Sequence, residues 1–384
     1  LNYYVAHSDL EGNVNKVVKI DFGSPTFKIE NTWRNGDLVG FILSKTKKDK
    51  PVESKRTSKK KQGSTIETGK ASLYSDYFHL KDMRLINDKP EKFVSYSYFA
   101  DSAQSPYLFK FSENKTKMAF CFFKNDTNGR AADVQVYDNK MNLLWSKTYK
   151  ISVKSDGYEI KDVAVDNEGK RALLAIRGYS KAKKAKHSDD VMTLIYLTQY
   201  QTKATDLQMD KAWATDMKCC FNMEGDYLLV GYYGQDNDKP YLSFGSFAYT
   251  FDQRRNIQKN FSKQEFKEYE TDDMVGKSMA KPSSFTTYLD DVVPMVGNNV
   301  IMIGEQRFYS KVVPAKRRGD SPTGENTTYF RDIVITNVDK TGLISGNAYV
   351  AKRQKESNKW ANDFNSYAIT RDRYGLYIMF NDHI

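Results

Sequence analysis

The chain has 384 residues, of which 40% are hydrophobic and 14% aromatic, with 9 prolines and a formal net charge of +11. This composition supports a large folded core and excludes wholesale disorder. No run approaches the ~18 uninterrupted apolar residues of a membrane-spanning helix. The 26 Tyr and 22 Phe against 4 Trp favour strands, because aromatic side chains pack well on pleated sheets.

One local pattern recurs along the chain: a short apolar strand, a tight turn with Gly or Asn, and a second apolar strand. The turns lie at 32–38, 111–118, 165–171, 221–227, 294–300 and 370–376. Asn-Gly and Glu-Gly pairs supply the positive φ that tight hairpin turns require. The strands that follow are rich in Leu, Val, Ile, Met and aromatic residues, which is typical of strands buried on both faces. They cover 117–123, 172–177, 227–233, 300–305 and 376–380.

A second hairpin with an Asp-containing turn follows at a variable distance, at 133–145, 247–257 and 333–343. Two hairpins in series make a four-stranded antiparallel blade, and blades cover their faces by stacking radially. The sequence therefore predicts one all-β domain over residues 1–384, a β-propeller of four-stranded antiparallel blades. Residues 2–22 and 366–384 are predicted to supply the outer and inner hairpins of a blade that closes the ring. Six blades are preferred, and seven stay open.

Several short stretches resemble a known family. They are Phe111–Lys115, Val136–Asn139, Leu144-Trp145, Ile333–Leu343, Ala351–Gln354, Ser366-Tyr367 and Phe380–Asp382. They are similar to the middle and closing blades of uncharacterised secreted Bacteroidetes β-propeller proteins. The resemblance implies export to the periplasm or outer membrane and brings no catalytic residues with it. It also implies an accessory role in an outer-membrane transport or type 9 secretion assembly.

The positive charge is concentrated in three segments. Residues 45–61 carry +7, residues 181–188 carry +4 and residues 311–319 carry +4, so the rest of the chain carries −4. All three are predicted to connect the second and third strands of their blades, and such loops emerge on the same rim of a propeller. Residues 45–70, which are rich in Lys, Ser and Gly, are predicted to be a flexible loop insertion.

This arrangement leads to the hypothesis of a basic partner-binding face. Its candidate residues are Lys59, Lys60, Lys61, Lys183, Lys184, Lys186, Lys316, Arg317 and Arg318. The expected partner is either a protein of a membrane-associated complex or a surface of anionic lipid or lipopolysaccharide. The basic face would attract an anionic partner within about 10 Å. Nucleic acid is disfavoured because the lysine clusters lack interleaved aromatics. The alternative is that the basic loops serve solubility alone.

No pattern of a known reaction stands out. The four histidines (His7, His79, His187 and His383) lack zinc-binding spacing, and no nucleophile elbow or phosphate-binding loop occurs. The sequence therefore predicts no catalytic residue, cofactor or metal site. Acidic groups at 166–168 and 236–238 are interpreted as turns. The adjacent acids at 272–273 and 290–291 point to opposite faces of a strand, and Asp290-Asp291 are expected at a loop end before a strand at 292–295.

Three cysteines and two aromatic groups are assigned to the core. Cys121, Cys219 and Cys220 are expected to be buried free thiols, since an odd count with one adjacent pair is no disulfide framework. The aromatic groups at 96–99 and 232–233 are expected to pack blade against blade, although a sugar-stacking platform is the competing interpretation.

The sequence thus favours a non-enzymatic protein-interaction scaffold that docks through its basic face. Two alternatives stay open. One is a propeller that binds carbohydrate or peptide without chemistry. The other is a glycan-active enzyme, a hydrolase or lyase, that uses carboxylates at the central channel; it requires acidic residues from at least two inner strands to converge.

Overall fold

The computed structural model describes most of the chain, with gaps. The described residues are 3–8, 14–24, 26–47, 68–99, 107–126, 129–152, 157–179, 190–209, 211–235, 243–252, 257–263, 286–310, 327–352, 354–357, 367–371 and 375–380. Every regular element in these ranges is a β-strand. They include no helix that is long and apolar enough to cross a membrane. The chain divides into two compact units, which are described separately below.

Unit 1 comprises residues 1–152 and 167–170. Its first sheet pairs β1 (Tyr3–Ser8) with β2 (Val14–Ile20). The second sheet contains β3 (Lys28–Asn35), β4 (Leu38–Lys47), β5 (Thr68–His79), β6 (Arg84–Leu85) and β7 (Glu91–Phe99), in which both β6 and β7 pair with β5. The third contains β8 (Tyr107–Phe111), β9 (Lys117–Asp126), β10 (Gly129–Asp138) and β11 (Leu143–Lys150).

Unit 2 comprises residues 153–166 and 171–384. One sheet contains β12 (Gly157–Val165), β13 (Arg171–Tyr179), β14 (Val191–Thr198) and β15 (Thr202–Leu207). The next contains β16 (Trp213–Phe221), β17 (Tyr227–Gly234), β18 (Gly245–Phe251) and β19 (Ile257–Lys263). The third contains β20 (Thr286–Pro294), β21 (Val300–Ser310), β22 (Thr327–Val338), β23 (Ile344–Val350) and β24 (Gln354–Ser357), where β24 extends the pairing of β22. The last pairs β25 (Ala368–Arg371) with β26 (Leu376–Met379).

All pairings are antiparallel, and strands that follow each other along the chain within a sheet are neighbours, except that β7 pairs with β5 and β24 with β22. The six predicted tight-turn hairpins are confirmed, and so are the three hairpins with Asp-containing turns. The Glu-Gly turns have the predicted backbone, because Gly169 and Gly225 have φ of 72° and 87°. The predicted fold class, an all-β propeller of four-stranded antiparallel blades, is confirmed at the level of its blades, while the blade number stays a prediction.

The core of unit 2 lies between its sheets. β17 is buried along its whole length, as predicted for a strand covered on both faces. Its alternate side chains enter two clusters: Leu229 packs with Phe247, and Val230 packs with Met302. β26 departs from the prediction, since only its residues Leu376 and Ile378 pack on the core while Tyr377 and Met379 are about half exposed.

The terminal hairpins form where the sequence places them, as the β1–β2 and β25–β26 sheets. Each is a separate two-stranded sheet in the described residues. Their union into one closing blade, like the single domain over 1–384, stays a prediction.

Candidate functional site

Three consecutive first strands of unit 2 each contain a β-bulge. The pairing register shifts between Ile160 and Asp162 in β12, between Ala214 and Asp216 in β16, and between Leu289 and Asp291 in β20. The extra residues are Lys161, Thr215 and Asp290. β12 packs beside β16, and β16 packs beside β20. Bulges redirect side chains and are enriched near active sites, so these positions are candidates for a functional site.

Asp290 lies at the centre of a polar cluster on the last large sheet. The guanidinium Nη2 of Arg307 is 2.5 Å from Asp290 Oδ1, and the hydroxyl of Tyr367 donates a hydrogen bond to Asp290 Oδ2 at 2.7 Å. The Nε of the same arginine donates to Glu305 Oε2 at 2.9 Å. The side chains of Asp290 and Arg307 are each 23% exposed, whereas that of Glu305 is fully buried. Asp290 is therefore the carboxylate of this cluster that solvent reaches.

A buried ion pair lies behind this carboxylate. The ammonium of Lys352 contacts Glu305 Oε1, and both side chains are completely buried. The same ammonium lies 5.4 Å from the ring centres of Phe330 and Tyr367. The Arg307 guanidinium lies 5.3 Å from the ring centre of Tyr288. Aromatic faces stabilise cations at these distances, and they also exclude water from the cluster.

Burial changes the proton affinities of these groups. It raises the pKa of Asp290 above its ordinary value and outweighs the Arg307 guanidinium and the Tyr367 hydroxyl, which lower it. It lowers the pKa of Lys352, and the contact with Glu305 compensates only in part. Burial and the charge of Asp290 raise the pKa of Tyr367, so its hydroxyl stays protonated. The cluster therefore contains an accessible carboxyl group that holds a proton more tightly than an ordinary aspartate.

A second group of charged side chains, Lys161, Asp216 and Glu159, is connected to this cluster by a hydrogen bond to the backbone next to Asp290. The ammonium of Lys161 lies 3.1 Å from Asp216 Oδ1 and 3.3 Å from Glu159 Oε1. Asp216 Oδ2 accepts a hydrogen bond from the backbone N–H of Leu289, the residue before Asp290. Burial lowers the pKa of Lys161, but the two carboxylates together outweigh it and hold the pKa above its ordinary value. Lys161 is therefore a permanent cation next to the bulge of β16.

The structure corrects the prediction for Asp290-Asp291. Both residues lie inside β20, at its bulge, and not at a loop end before a strand at 292–295. The prediction that the two do not act as one pair is confirmed, because they have separate partners: Asp291 Oδ1 accepts from the backbone N–H of Val292, while Asp290 contacts Arg307 and Tyr367. Sequence reasoning missed the cluster because it treated strand alternation as uninterrupted.

The nine predicted partner-binding residues are Lys59, Lys60, Lys61, Lys183, Lys184, Lys186, Lys316, Arg317 and Arg318, and all of them lie outside the described residues. The strands that flank them are β4 and β5, β13 and β14, and β21 and β22. These are the second and third strands of their sheets, as predicted. The flexibility of 45–70, the common basic face and its anionic partner stay predictions.

The remaining assignments concern the core. Cys121, Cys219 and Cys220 are free and buried, as predicted. Tyr232 and Tyr233 pack into different hydrophobic clusters, which confirms the packing interpretation. Asp166 belongs to a turn and binds the Arg171 side chain, with 2.6 Å between its Oδ2 and the arginine Nε. The acidic groups at 236–238 and 272–273 lie outside the described residues.

Comparison with known proteins gives fold-level likeness only. No protein-family model and no curated protein matches the chain. A mutant of the apocarotenoid oxygenase of Synechocystis matches with a TM-score of 0.32 and 10% identity, over 75% of this chain and 72% of that chain. An acylaminoacyl peptidase matches with a TM-score of 0.36 and 11% identity, over 90% of this chain and 55% of that chain. Likeness at this level assigns no activity or substrate.

The expectation of a non-enzymatic scaffold without catalytic residues is corrected. The similar solved structures, an oxygenase and a peptidase, show the fold alone. The physical reason lies in the polar cluster. Packing blades together requires apolar faces, whereas the accessible Asp290 is held by Arg307 and Tyr367 next to the buried ion pair of Glu305 and Lys352. The scaffold interpretation is therefore not retained.

Proposed function

We propose that the chain is a glycan-active enzyme in which Asp290 exchanges a proton with the substrate. One observation carries the proposal. Asp290 is the solvent-reached carboxyl group of the cluster, and it is held between Arg307 and Tyr367 in surroundings that raise its pKa. Cleavage of a glycosidic bond requires a group that exchanges a proton with the substrate, and a carboxyl group with a raised pKa binds a proton more tightly than an ordinary carboxyl group.

The exposure of the carboxylates favours elimination over hydrolysis. Hydrolysis by two carboxylates requires both to reach the sugar. Glu305 is completely buried and is occupied by Arg307 and Lys352, so Asp290 lacks a second accessible carboxylate within the cluster. An elimination requires one group that moves protons and a cation that neutralises the carboxylate of the sugar. Asp290 and Arg307 have these properties.

The proposed reaction is therefore that of a lyase on a glycan that contains uronic acid. The ionised carboxylate of Asp290 takes the proton next to the uronate carboxylate, a carbon–carbon double bond forms, and the bond to the leaving oxygen breaks. That oxygen takes up a proton, so the products are a new chain end and an unsaturated uronate. Arg307 stabilises the negative charge that develops on the uronate, and Asp290, hydrogen-bonded to Tyr367, transfers the proton.

The test is an activity assay of the full chain on a panel of uronate-containing polysaccharides, with neutral glycans beside them. Ultraviolet absorbance detects the unsaturated product, and a reducing-end assay detects any cleavage. Asp290→Asn should lower the rate by a factor of roughly 100 or more. Asp291→Asn, a matched change one residue away, should retain it. Cleavage without ultraviolet absorbance would replace the lyase by a hydrolase, and no cleavage of any glycan would refute the proposal.

A further inference from the structure

Four charged side chains of unit 2 form a connected series with alternating sign. Lys352 contacts Glu305, Glu305 contacts Arg307, and Arg307 contacts Asp290. The series runs from the fully buried end at Lys352 to the partly exposed end at Asp290. Its two ends come from the segment after β23 and from the bulge of β20. A change of charge at the buried end is therefore transmitted to the accessible end through three direct ion pairs.

Other elements also face the ends of the series. The titratable or charged groups that act on Asp290 are Arg307 and Glu305 of β21, Tyr367 ahead of β25, Lys352 after β23, and Tyr232 of β17. Those that act on Lys352 are Glu305, Arg307 and Asp290. Lys352 is thus the second cation of a group that contains two carboxylates. It balances the charge of Glu305 while Arg307 binds to both acids.

Loss of this second cation has a defined consequence. Without the charge of Lys352, a single guanidinium remains between the carboxylates of Glu305 and Asp290, and the cluster carries an excess negative charge. Like charges that share a buried site raise each other's affinity for a proton. Asp290 is the carboxylate that solvent reaches, and the charge of Glu305 raises its affinity for a proton.

We infer that Lys352 and Asp290 form one proton-exchanging unit that is coupled through Glu305 and Arg307. In this unit, loss of the positive charge of Lys352 leads to protonation of Asp290. Lys352 is then a positioning residue for the chemistry at Asp290, because it is completely buried and acts through Glu305 and Arg307. The inference deepens the proposed function and rests on it, since it explains how the proton of Asp290 is controlled.

The test is a titration of Asp290 by NMR in the full chain, with carbon-13-labelled aspartate carboxyl groups and no substrate. Lys352→Met should move the midpoint of Asp290 upward by about one pH unit, as expected for removal of a nearby opposite charge. Glu305→Gln should move it downward. The double variant should return it close to the wild-type value, because both charges are then absent. Lys352→Arg should retain the wild-type midpoint.

Lys161→Met is the matched control, because Lys161 is also a largely buried, ion-paired lysine of unit 2 but contacts Asp216 and Glu159 instead of Glu305. An unmoved Asp290 midpoint in Lys352→Met, or an equal shift in the control, would overturn the inference. If Lys352→Met does not fold, the test rests on Glu305→Gln. An unchanged Asp290 midpoint in that variant would also overturn the inference. The titration uses no glycan, so its outcome is independent of the activity assay.

Discussion

The carboxylate of Asp216 accepts a hydrogen bond from the backbone N–H of Leu289, with 2.9 Å between Oδ2 and the nitrogen. This bond joins the first strands of two consecutive sheets of unit 2. The preceding pair of sheets has the same link, because Asp162 Oδ2 accepts from the backbone N–H of Cys219 at 3.0 Å. In both strands the aspartate directly follows the bulge. A repeated side-chain bond to the backbone thus connects neighbouring blades beside the candidate site.

Removal of this link should destabilise unit 2. We expect Asp216→Ala to lower the free energy of unfolding by about 2 kcal/mol, because a largely buried hydrogen bond to a charged acceptor and the contact with Lys161 are both lost. Glu159→Gln is the control, since it removes the other carboxylate on Lys161 but no link between sheets. Its effect in urea denaturation should be less than half as large. Equal effects would show that the link between sheets contributes nothing.

The sequence was sufficient to predict the hairpins because their signals are local. An Asn-Gly or Glu-Gly pair lies in three of the six predicted turns, and the other three contain Gly or Asn. All six hairpins form. The burial of Cys219 and Cys220 as free thiols was predicted from equally local features of the sequence, and it is confirmed. Both predictions depend on residues within about ten positions of one another, so no knowledge of the tertiary structure was needed.

The candidate site was not predictable in the same way. Tyr367 and Asp290 are separated by 77 positions, and Lys352 and Glu305 by 47, so only the tertiary fold brings them together. The bulge in β20 also changes which side chains share a face, and a periodicity argument assumes that no bulge exists. One signal was present in the sequence: an aspartate recurs within the first strand of three sheets, at positions 162, 216 and 291.

The hydroxyl of Tyr367 should influence both stability and proton affinity. Tyr367 is buried and donates to Asp290, and a hydrogen bond to the ionised carboxylate lowers the pKa of that carboxyl group. In Tyr367→Phe the pKa of Asp290 should therefore rise further, and the pH at which Asp290 ionises should move upward in the NMR titration. Tyr377→Phe, a change on the exposed face of β26, is the control and should have no effect. A downward shift in Tyr367→Phe would contradict the assigned direction of the bond.

The three thiols should be unreactive in the folded chain. Cys121, Cys219 and Cys220 are at most 4% exposed, and burial raises the pKa of Cys121, which keeps its reactive thiolate form rare. A thiol reagent such as dithiobisnitrobenzoate should modify none of them under native conditions and all three in denaturant. Fast modification of any thiol without denaturant would contradict the burial of that side chain.

A buried carboxyl group of unit 1 should make stability depend on pH. Asp76 is completely buried; its Oδ1 accepts from the backbone N–H of Tyr77 at 2.7 Å and from Asn87 Nδ2 at 3.1 Å. Its Oδ2 has no hydrogen-bond partner within the described part of the chain. Burial raises the pKa of Asp76 above the ordinary value of 3.8, and these hydrogen bonds offset the rise only in part. The folded state thus binds the proton of Asp76 more tightly than the unfolded state does.

The sign of the effect follows from proton linkage. The contribution of Asp76 is fully present below the unfolded pKa, is lost as pH rises through the folded pKa, and is constant above it. Asp76→Asn removes the titration, so its unfolding free energy relative to wild type should increase as pH rises from about 4 towards neutrality. Urea denaturation at several pH values measures this difference. Asp37→Asn should show the opposite dependence of stability on pH, because the hydrogen bond and charge of Lys81 lower the pKa of Asp37. The loss of unfolding free energy in Asp37→Asn relative to wild type should become smaller as pH falls. Parallel curves of unfolding free energy against pH for wild type and Asp76→Asn would refute the raised pKa of Asp76.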